Sequence, residues 1–378
     1  MENGYLKRRV WVEVDLRKIR ANFRKIKAAV SPCAVLPVLK ANAYGLGVQA
    51  YASALEKEDI AGFGVAEPFE ALQLAGHGRP VQILSSILPD EIEPMVAAGV
   101  TLPAIDLPTA KAIDAAARRA GRKAAVHVKL DTGMGRLGIP AAEAPRIVRE
   151  IHALPCLDCE GVFSHCPMAY DPADVFTNAQ IDLFIAILED LARDGIRFRK
   201  IHIAASDAVN NFPRSKTPPF NLVRTGINLH GSFDPNGERA LDVESVLTLK
   251  TRVAQVRTLP PGTTLGYGRT WCLNRSSRIA TVSAGYADGL PLALGNRGHV
   301  TIRGVPCPVV GRVSMDYTTV DVTHVPDVAP GDEVTCLGGS APHHSSPDTW
   351  GALKGTHAYE IICSLGNRVE RVYTGMDD

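Results

Sequence analysis

Residue types that could do chemistry stand at the ends of short apolar runs. Lys40 closes the run Val35–Leu39 within VLPVLKANAYGLG. An amine at such a strand end is expected to be partly desolvated, which lowers its pKa and suits it to attack a carbonyl and form an imine. The plainer reading is a surface lysine that snorkels from a strand end. Two later segments carry donors for an anion, Ala204-Ala205-Ser206-Asp207-Ala208 and Arg224-Thr225-Gly226-Ile227. A serine hydroxyl and glycine-flanked N–H groups can cradle a phosphate. Each segment alone is equally a helix N-cap or a plain turn.

These residues need a frame that brings them together. Strand-like runs occur at Val35–Leu39, 62–65, 81–84, 101–105, 124–130, 157–163, 201–204 and 222–224, with helical stretches between them at 67–75, 108–120, 141–151 and 174–191. Apolar runs alternating with amphipathic helices imply parallel βαβ units. Eight in succession predict an α/β fold, a closed (β/α)8 TIM-type barrel whose chemistry sits at the C-terminal ends of its strands. An open doubly wound sheet is the alternative, but no G-x-G-x-x-G follows the first run. Beyond about residue 240 the texture changes to β-branched runs at 247–256, 277–284, 299–305, 318–322 and 333–337, broken by Pro260-Pro261-Gly262, Asn296-Arg297-Gly298 and Pro330-Gly331-Asp332. These predict a mostly β C-terminal domain, helical only near 349–353. The polar stretch 341–347 reads as a loop with solvated His343 and His344. The expected domains are a barrel over 14–240 and a β-rich domain over 241–378 that takes in an N-terminal strand from 1–13.

Composition excludes other classes. Lys and Arg number 41 and Asp and Glu 40 in 378 residues, so the net charge is 41 − 40 = +1. Nucleic acid and anionic membrane surfaces select clustered positive charge, so neither is an expected partner. No apolar run reaches the ~18 residues of a membrane span. The N-terminal MENGYLKRRVWVEVDL has no apolar core of a secretory signal, and the eight cysteines are thinly spread, which predicts reduced thiols in the cytoplasm. Cys156 and Cys159 form a C-x-x-C with no second pair at zinc-ligand spacing, so no metal site is expected.

A lysine on strand one opposite a phosphate cup on strands seven and eight suits pyridoxal phosphate. VLPVLKANAYGLG resembles the pyridoxal-phosphate attachment motif of the alanine racemase family. The resemblance continues, in order, through LDTGMGRLG from Leu130, GYADG from Gly285, VGRVSMD from Val310 and YEIICSLGNRV from Tyr359, and so covers nearly the whole chain. It implies a racemase for small amino acids that interconverts L- and D-alanine, supplies D-alanine for peptidoglycan, and works as a homodimer with shared active sites.

The same resemblance implies roles for matching positions. Lys40 would hold the cofactor and act as one catalytic base. Tyr267, in Leu265-Gly266-Tyr267-Gly268, would be the second base on the opposite face. Arg224 would face the pyridine nitrogen and His165 the ring. Tyr44, Ser206, Gly226, Ile227 and Tyr359 would bind the phosphate. Arg136, Met315 and Asp316 would meet the substrate, Tyr286 would narrow its entrance, and Lys129 would be either a carbamylated lysine holding Arg136 or an ordinary ion-paired lysine. An arginine at position 224 stays protonated and keeps the ring nitrogen bare, whereas related barrel decarboxylases place a carboxylate there. A racemase for serine or a broader amino-acid set stays open, because the chain departs from the family pattern at Ala204-Ala205-Ser206, at His230 and at Leu290-Pro291-Leu292. A non-enzymatic carrier of the cofactor would resemble the barrel alone.

Overall fold

A computed structural model describes residues 8–234, 236–339 and 345–376. The chain divides into two compact units. One comprises Ile19–Ala43 and Gly47–Val243, the other Met1–Lys18, Tyr44–Leu46 and Glu244–Asp378. The segment Tyr44–Leu46, four residues beyond Lys40, therefore belongs to the β-rich unit, which no compositional boundary could indicate.

The first unit is a barrel of parallel strands. In order these are Ala34–Pro37, Phe63–Val65, Val81–Ile83, Leu102–Ala104, Ala124–Asp131, Leu157–Phe163, Lys200–His202 and Leu222–Thr225, called strands one to eight below. Strand eight pairs in parallel with strand one, which closes the ring. Strands one and two meet through the bridge Val38–Gly64, and strands three and four through Gln82–Thr101. Strand seven meets strand eight where Arg224 N–H donates to Ala204 O at 3.0 Å. Each strand lies within two residues of its expected place, because a run buried on both faces must be apolar throughout. The intervening helices form where the sequence caps them. Asp106 accepts from Thr109 N–H at 2.7 Å to start Leu107–Arg119, and Asp174 accepts from Thr177 N–H at 2.7 Å to start Val175–Arg193.

The second unit is a mixed sheet organised by the long strand Leu247–Leu259. Trp11–Asp15 pairs antiparallel with it and parallel with Glu370–Thr374. It also pairs with Glu333–Leu337 and, across a register shift at Val253/Gln255, with Ser277–Val282. The bulge lets one strand serve two directions of sheet. The expectation of a single helical stretch here is corrected: beside Pro347–Lys354 there is a helix at Ala358–Cys363, N-capped by His357, whose β-branched Ile361 and Ile362 face the core. The loop expected over 341–347 lies mostly outside the described residues, as do His343 and His344. At its end, Ser345 bridges Gly338 and Ser346 caps the next helix.

Candidate active site

Lys40 lies three residues beyond the end of strand one, and the backbone after it is unusual. Ala41, Asn42, Ala43 and Tyr44 all lie in the left-handed region, at φ of 53, 55, 51 and 59°. Each costs about 1–2 kcal/mol for a residue with a Cβ, so other contacts must hold the turn. Glu70 is one: its buried carboxylate accepts from Ala41 N–H and, at 2.8 Å, from Ala66 N–H. Asn42 is another, its side chain accepting from Val48 N–H at 2.8 Å. Sequence reasoning did not find Glu70, which reads as one more polar residue on a helix face. The turn also corrects the expected desolvation of Lys40. The chain swings away from the strand immediately after Leu39, and the lysine side chain is exposed rather than enclosed.

Arg224 ends strand eight almost fully buried. Burial pulls its pKa down to about 10, which leaves it charged at neutral pH. Its Nη1 donates to His202 Nδ1 at 2.7 Å, and its Nη2 to Ser164 O at 2.8 Å and Ile203 O at 3.0 Å. Phe163 supports it from one side, with the guanidinium carbon 5.5 Å from the ring centroid. Lys129, on strand five, lies over the same ring at 4.6 Å and donates to Leu84 O at 3.3 Å. Burial and the nearby positive charges of Arg224 and Arg136 draw the Lys129 amine down to about 7. His165, just past strand six, is neutral, its pKa drawn to about 3 by burial and by Arg224, Arg136, Lys129 and Lys40.

At strands seven and eight, Ser206 Oγ accepts from Gly226 N–H at 3.0 Å and keeps its own hydroxyl proton as a donor. Asn210 ties the two loops together, donating to Ser206 O at 2.8 Å and to Asn228 Oδ1 at 3.1 Å. Ile227 opens the short turn that follows and is fully buried. The barrel end thus brings Lys40, Lys129, Arg136, His165 and Arg224 into one electrostatic neighbourhood, beside hydroxyl and amide donors. The charges that act on His165 are all positive, and Asp131 is the carboxylate that tempers Lys129. This donor set fits pyridoxal phosphate, which brings a dianionic phosphate, an aldehyde for an amine and a ring nitrogen for a guanidinium.

The β-rich unit holds the remaining expected site residues in three places. Tyr44 and Tyr359 lie with ring centroids 5.9 Å apart. Tyr286, Met315 and Asp316 lie on loops tied together by Arg368, which grips buried Asp288 at 2.6 and 2.9 Å and Asp316 at 2.7 Å. The carboxylate of Asp316 is therefore already engaged by a cation. Gly285 permits the loops to touch, since a Cβ there would sit 2.2 Å from Ser314 O. Tyr267 occupies the turn of the hairpin Thr264–Leu265/Trp271–Cys272, between Gly266 and Gly268 at φ of 71 and 74°. The hairpin rests on a core of Leu265, Leu273, Ile279 and Val310. Tyr267 itself is 74% exposed.

The barrel interior sets a pH dependence. His127, His165, His202 and His230 all have pKa values below the ordinary imidazole value, because burial disfavours their charged forms. In the unfolded chain they take up protons as pH falls through about 6.5. The unfolded state then binds more protons than the folded one, so stability falls as pH drops. Urea denaturation from about pH 7.5 to 5 is expected to lose stability, with up to about 1.4 kcal/mol per pH unit for each such histidine once below its unfolded pKa. A flat profile over that window would show that these groups protonate freely in the fold.

A parallel barrel with a lysine after strand one, an arginine ending strand eight and an appended β-rich unit defines a class: enzymes that bind pyridoxal phosphate on a (β/α)8 frame. Comparison with known proteins narrows it. The family model described as "Alanine racemase, N-terminal domain" matches residues 14–234, and "Alanine racemase, C-terminal domain" matches residues 246–373. The alanine racemase of Symbiobacterium thermophilum is 37% identical over 371 residues, spanning 97% of this chain and 98% of that one. Among solved structures, alanine racemase from Streptomyces coelicolor superposes with a TM-score of 0.91 at 29% identity, covering 97% of this chain and 98% of that one. The Bartonella henselae alanine racemase, solved with covalently bound pyridoxal phosphate, gives 0.87 at 29% identity over 97% and 100%. The chain belongs to the alanine racemase family, whose members are isomerases.

Proposed function

We propose that this chain interconverts L- and D-alanine with pyridoxal phosphate, using Lys40 and Tyr267 as bases on opposite faces of the substrate. The observation that carries the reading is Arg224, a buried guanidinium at the end of strand eight where a decarboxylase of this architecture would carry a carboxylate. When bound, the cofactor supplies an electron sink that makes the α-hydrogen of alanine acidic. Arg224 limits that sink by keeping the ring nitrogen unprotonated, and both of its Nη groups are committed to protein acceptors, so Nε–H is the donor left for the ring. Ser206, Gly226, Ile227, Tyr44 and Tyr359 hold the phosphate, and His165 packs as a neutral ring beside the cofactor.

Lys40 removes or returns the α-proton from one face and Tyr267 from the other. Inversion at carbon needs both, since a single base returns the proton to the face it came from. Arg136 and the Met315 N–H bind the substrate carboxylate, Asp316 fixes the Met315 loop through Arg368, and Tyr286 narrows the entrance. Lys129 serves as the support for Arg136. With its pKa near 7, much of the amine is neutral at physiological pH and can add carbon dioxide, which turns a cation beside Arg136 into an anion. D-alanine supply for peptidoglycan in the cytoplasm follows from this activity. Among the described residues, no helix is long and apolar enough to cross a membrane.

The site is completed by a second copy of the chain, with Tyr267 and Met315 of the partner subunit meeting Lys40. Their exposure supports this, at 74% and 52%, as does that of nearby-in-sequence Trp271 and Tyr317 at 37% and 41%. Mixing subunits tests it. A heterodimer of Lys40→Ala and Tyr267→Phe chains has one site with both lesions and one with neither. Random reassortment of the two inactive variants should therefore restore about a quarter of wild-type activity in a symmetric dimer with shared sites. No recovery after confirmed subunit exchange would place both bases in one chain. The reaction itself is tested by incubating the protein with a panel of L-amino acids and measuring D-product. Conversion of alanine well ahead of serine and bulkier residues is expected, and amine product without D-amino acid would indicate a decarboxylase.

A further inference from the structure

Arg224 is one end of a hydrogen-bonded row that runs across four adjacent barrel strands. Its Nη1 lies 2.7 Å from His202 Nδ1 on strand seven. His202 Nε2 lies 2.8 Å from His127 Nδ1 on strand five. His127 Nε2 lies 3.2 Å from Glu160 Oε1 on strand six. Both imidazoles are buried and held neutral, His202 by burial and the Arg224 charge, His127 by burial despite the pull of Glu160. A guanidinium only donates and a carboxylate only accepts, while a neutral imidazole does one of each. The direction of every bond is then fixed. Arg224 donates to His202 Nδ1, His202 donates from Nε2 to His127 Nδ1, and His127 donates from Nε2 to Glu160.

The far end of the row is built, not incidental. The pairing of strands five and six runs Val126 to Cys159 and then His127 to Gly161, so Glu160 is the extra residue of a bulge. A bulge re-aims the side chain it carries. The next residue has to be glycine, since a Cβ on Gly161 would sit 2.5 Å from the His127 ring. Lys200 at 3.0 Å, Thr101 at 3.4 Å and Arg199 at 3.7 Å surround the Glu160 carboxylate. Although burial opposes it, hydrogen bonds from His127 and Lys200 hold this carboxyl down at about 2, so it stays an acceptor across the working pH range. On the near side, Phe163 stacks flat on His202 with centroids 5.0 Å apart and keeps that ring in the row.

We propose that Glu160 is a positioning residue for Arg224. By accepting the Nε2–H of His127 at the far end of the row, it anchors both imidazoles and so holds the guanidinium in the orientation that faces the cofactor ring. This rests on the assignment of Arg224 to the ring nitrogen made above.

The test uses full-length, cofactor-loaded protein with isotopically labelled histidine nitrogens, read by nuclear magnetic resonance alongside steady-state kinetics. In the wild type, His127 and His202 are expected as single tautomers with hydrogen on Nε2. Glu160→Leu removes the acceptor. It should leave the His127 Nε2–H without its acceptor, shift the resonance of that nitrogen and lower kcat about tenfold, the scale of one lost charge-assisted hydrogen bond, with KM for alanine little changed. Glu160→Gln keeps an acceptor oxygen and should restore both readouts. Gly161→Ala displaces the His127 ring with Glu160 intact, and should reproduce the Glu160→Leu result if that variant is poorly folded. Hydrogen on Nδ1 of either histidine in the wild type overturns the proposal, as does Glu160→Leu with an unchanged His127 Nε2 resonance or unchanged kcat. Arg224→Gln separates the failures. If it impairs racemisation and Glu160→Leu does not, the row is idle; if neither matters, the assignment of Arg224 itself is wrong.

Discussion

Tyr267→Phe is expected to reduce kcat for racemisation about 10³-fold in both directions, within the range a positioned general acid or base contributes. The change removes one oxygen and nothing structural. Tyr267 sits in the turn between Gly266 and Gly268, 74% exposed, and the hairpin that carries it rests on Leu265, Leu273, Ile279 and Val310. Its hydroxyl supports none of these contacts, so the melting temperature and the visible absorbance of bound cofactor should match the wild type. Polarimetry or chiral chromatography from each enantiomer measures the loss. A variant that racemises at the wild-type rate in both directions would end the assignment of Tyr267 as a base.

Lys40→Ala is expected to have the larger effect, a loss of about 10⁴-fold at the upper end of the acid–base range, because it removes a base and the covalent anchor of the cofactor together. Borohydride treatment of the wild type should bleach the yellow protein and fix the cofactor to Lys40, and the variant should retain no fixed label. Label recovered on another lysine would overturn the site. The fold around Lys40 should survive the substitution. The left-handed turn over Ala41–Tyr44 is held by Glu70 and Asn42 through backbone N–H groups, and Lys40 contributes no side-chain atom to those bonds.

The barrel strands were legible because a strand buried on both sides leaves a continuous apolar run, and the helices because amphipathic stretches separate those runs. The hairpin that presents Tyr267 was not, since strands of two residues such as Thr264–Leu265 carry no period to read. Val305–Pro308 was missed for a different reason, two prolines in a short strand that pairs with His299–Ile302. The chemistry divides the same way. Lys40 and Arg224 stand at strand ends, where position alone suggests a role. Glu70, Arg368 and the row from Arg224 to Glu160 join residues far apart in the chain, and only the closed barrel and the folded sheet bring them within hydrogen-bond distance. The exposure of Lys40 was open as the plainer of two readings, but its cause was not, because the left-handed turn that sets it depends on a carboxylate thirty positions downstream.

The central claim is that two bases flank the substrate on opposite faces. The most direct measurement is exchange of the α-hydrogen of alanine in deuterium oxide by the Tyr267→Phe protein, followed separately from each pure enantiomer. With one base left, a single enantiomer should exchange its α-hydrogen for deuterium and keep its configuration, while the other should be nearly inert. Comparable exchange from both enantiomers would contradict the account.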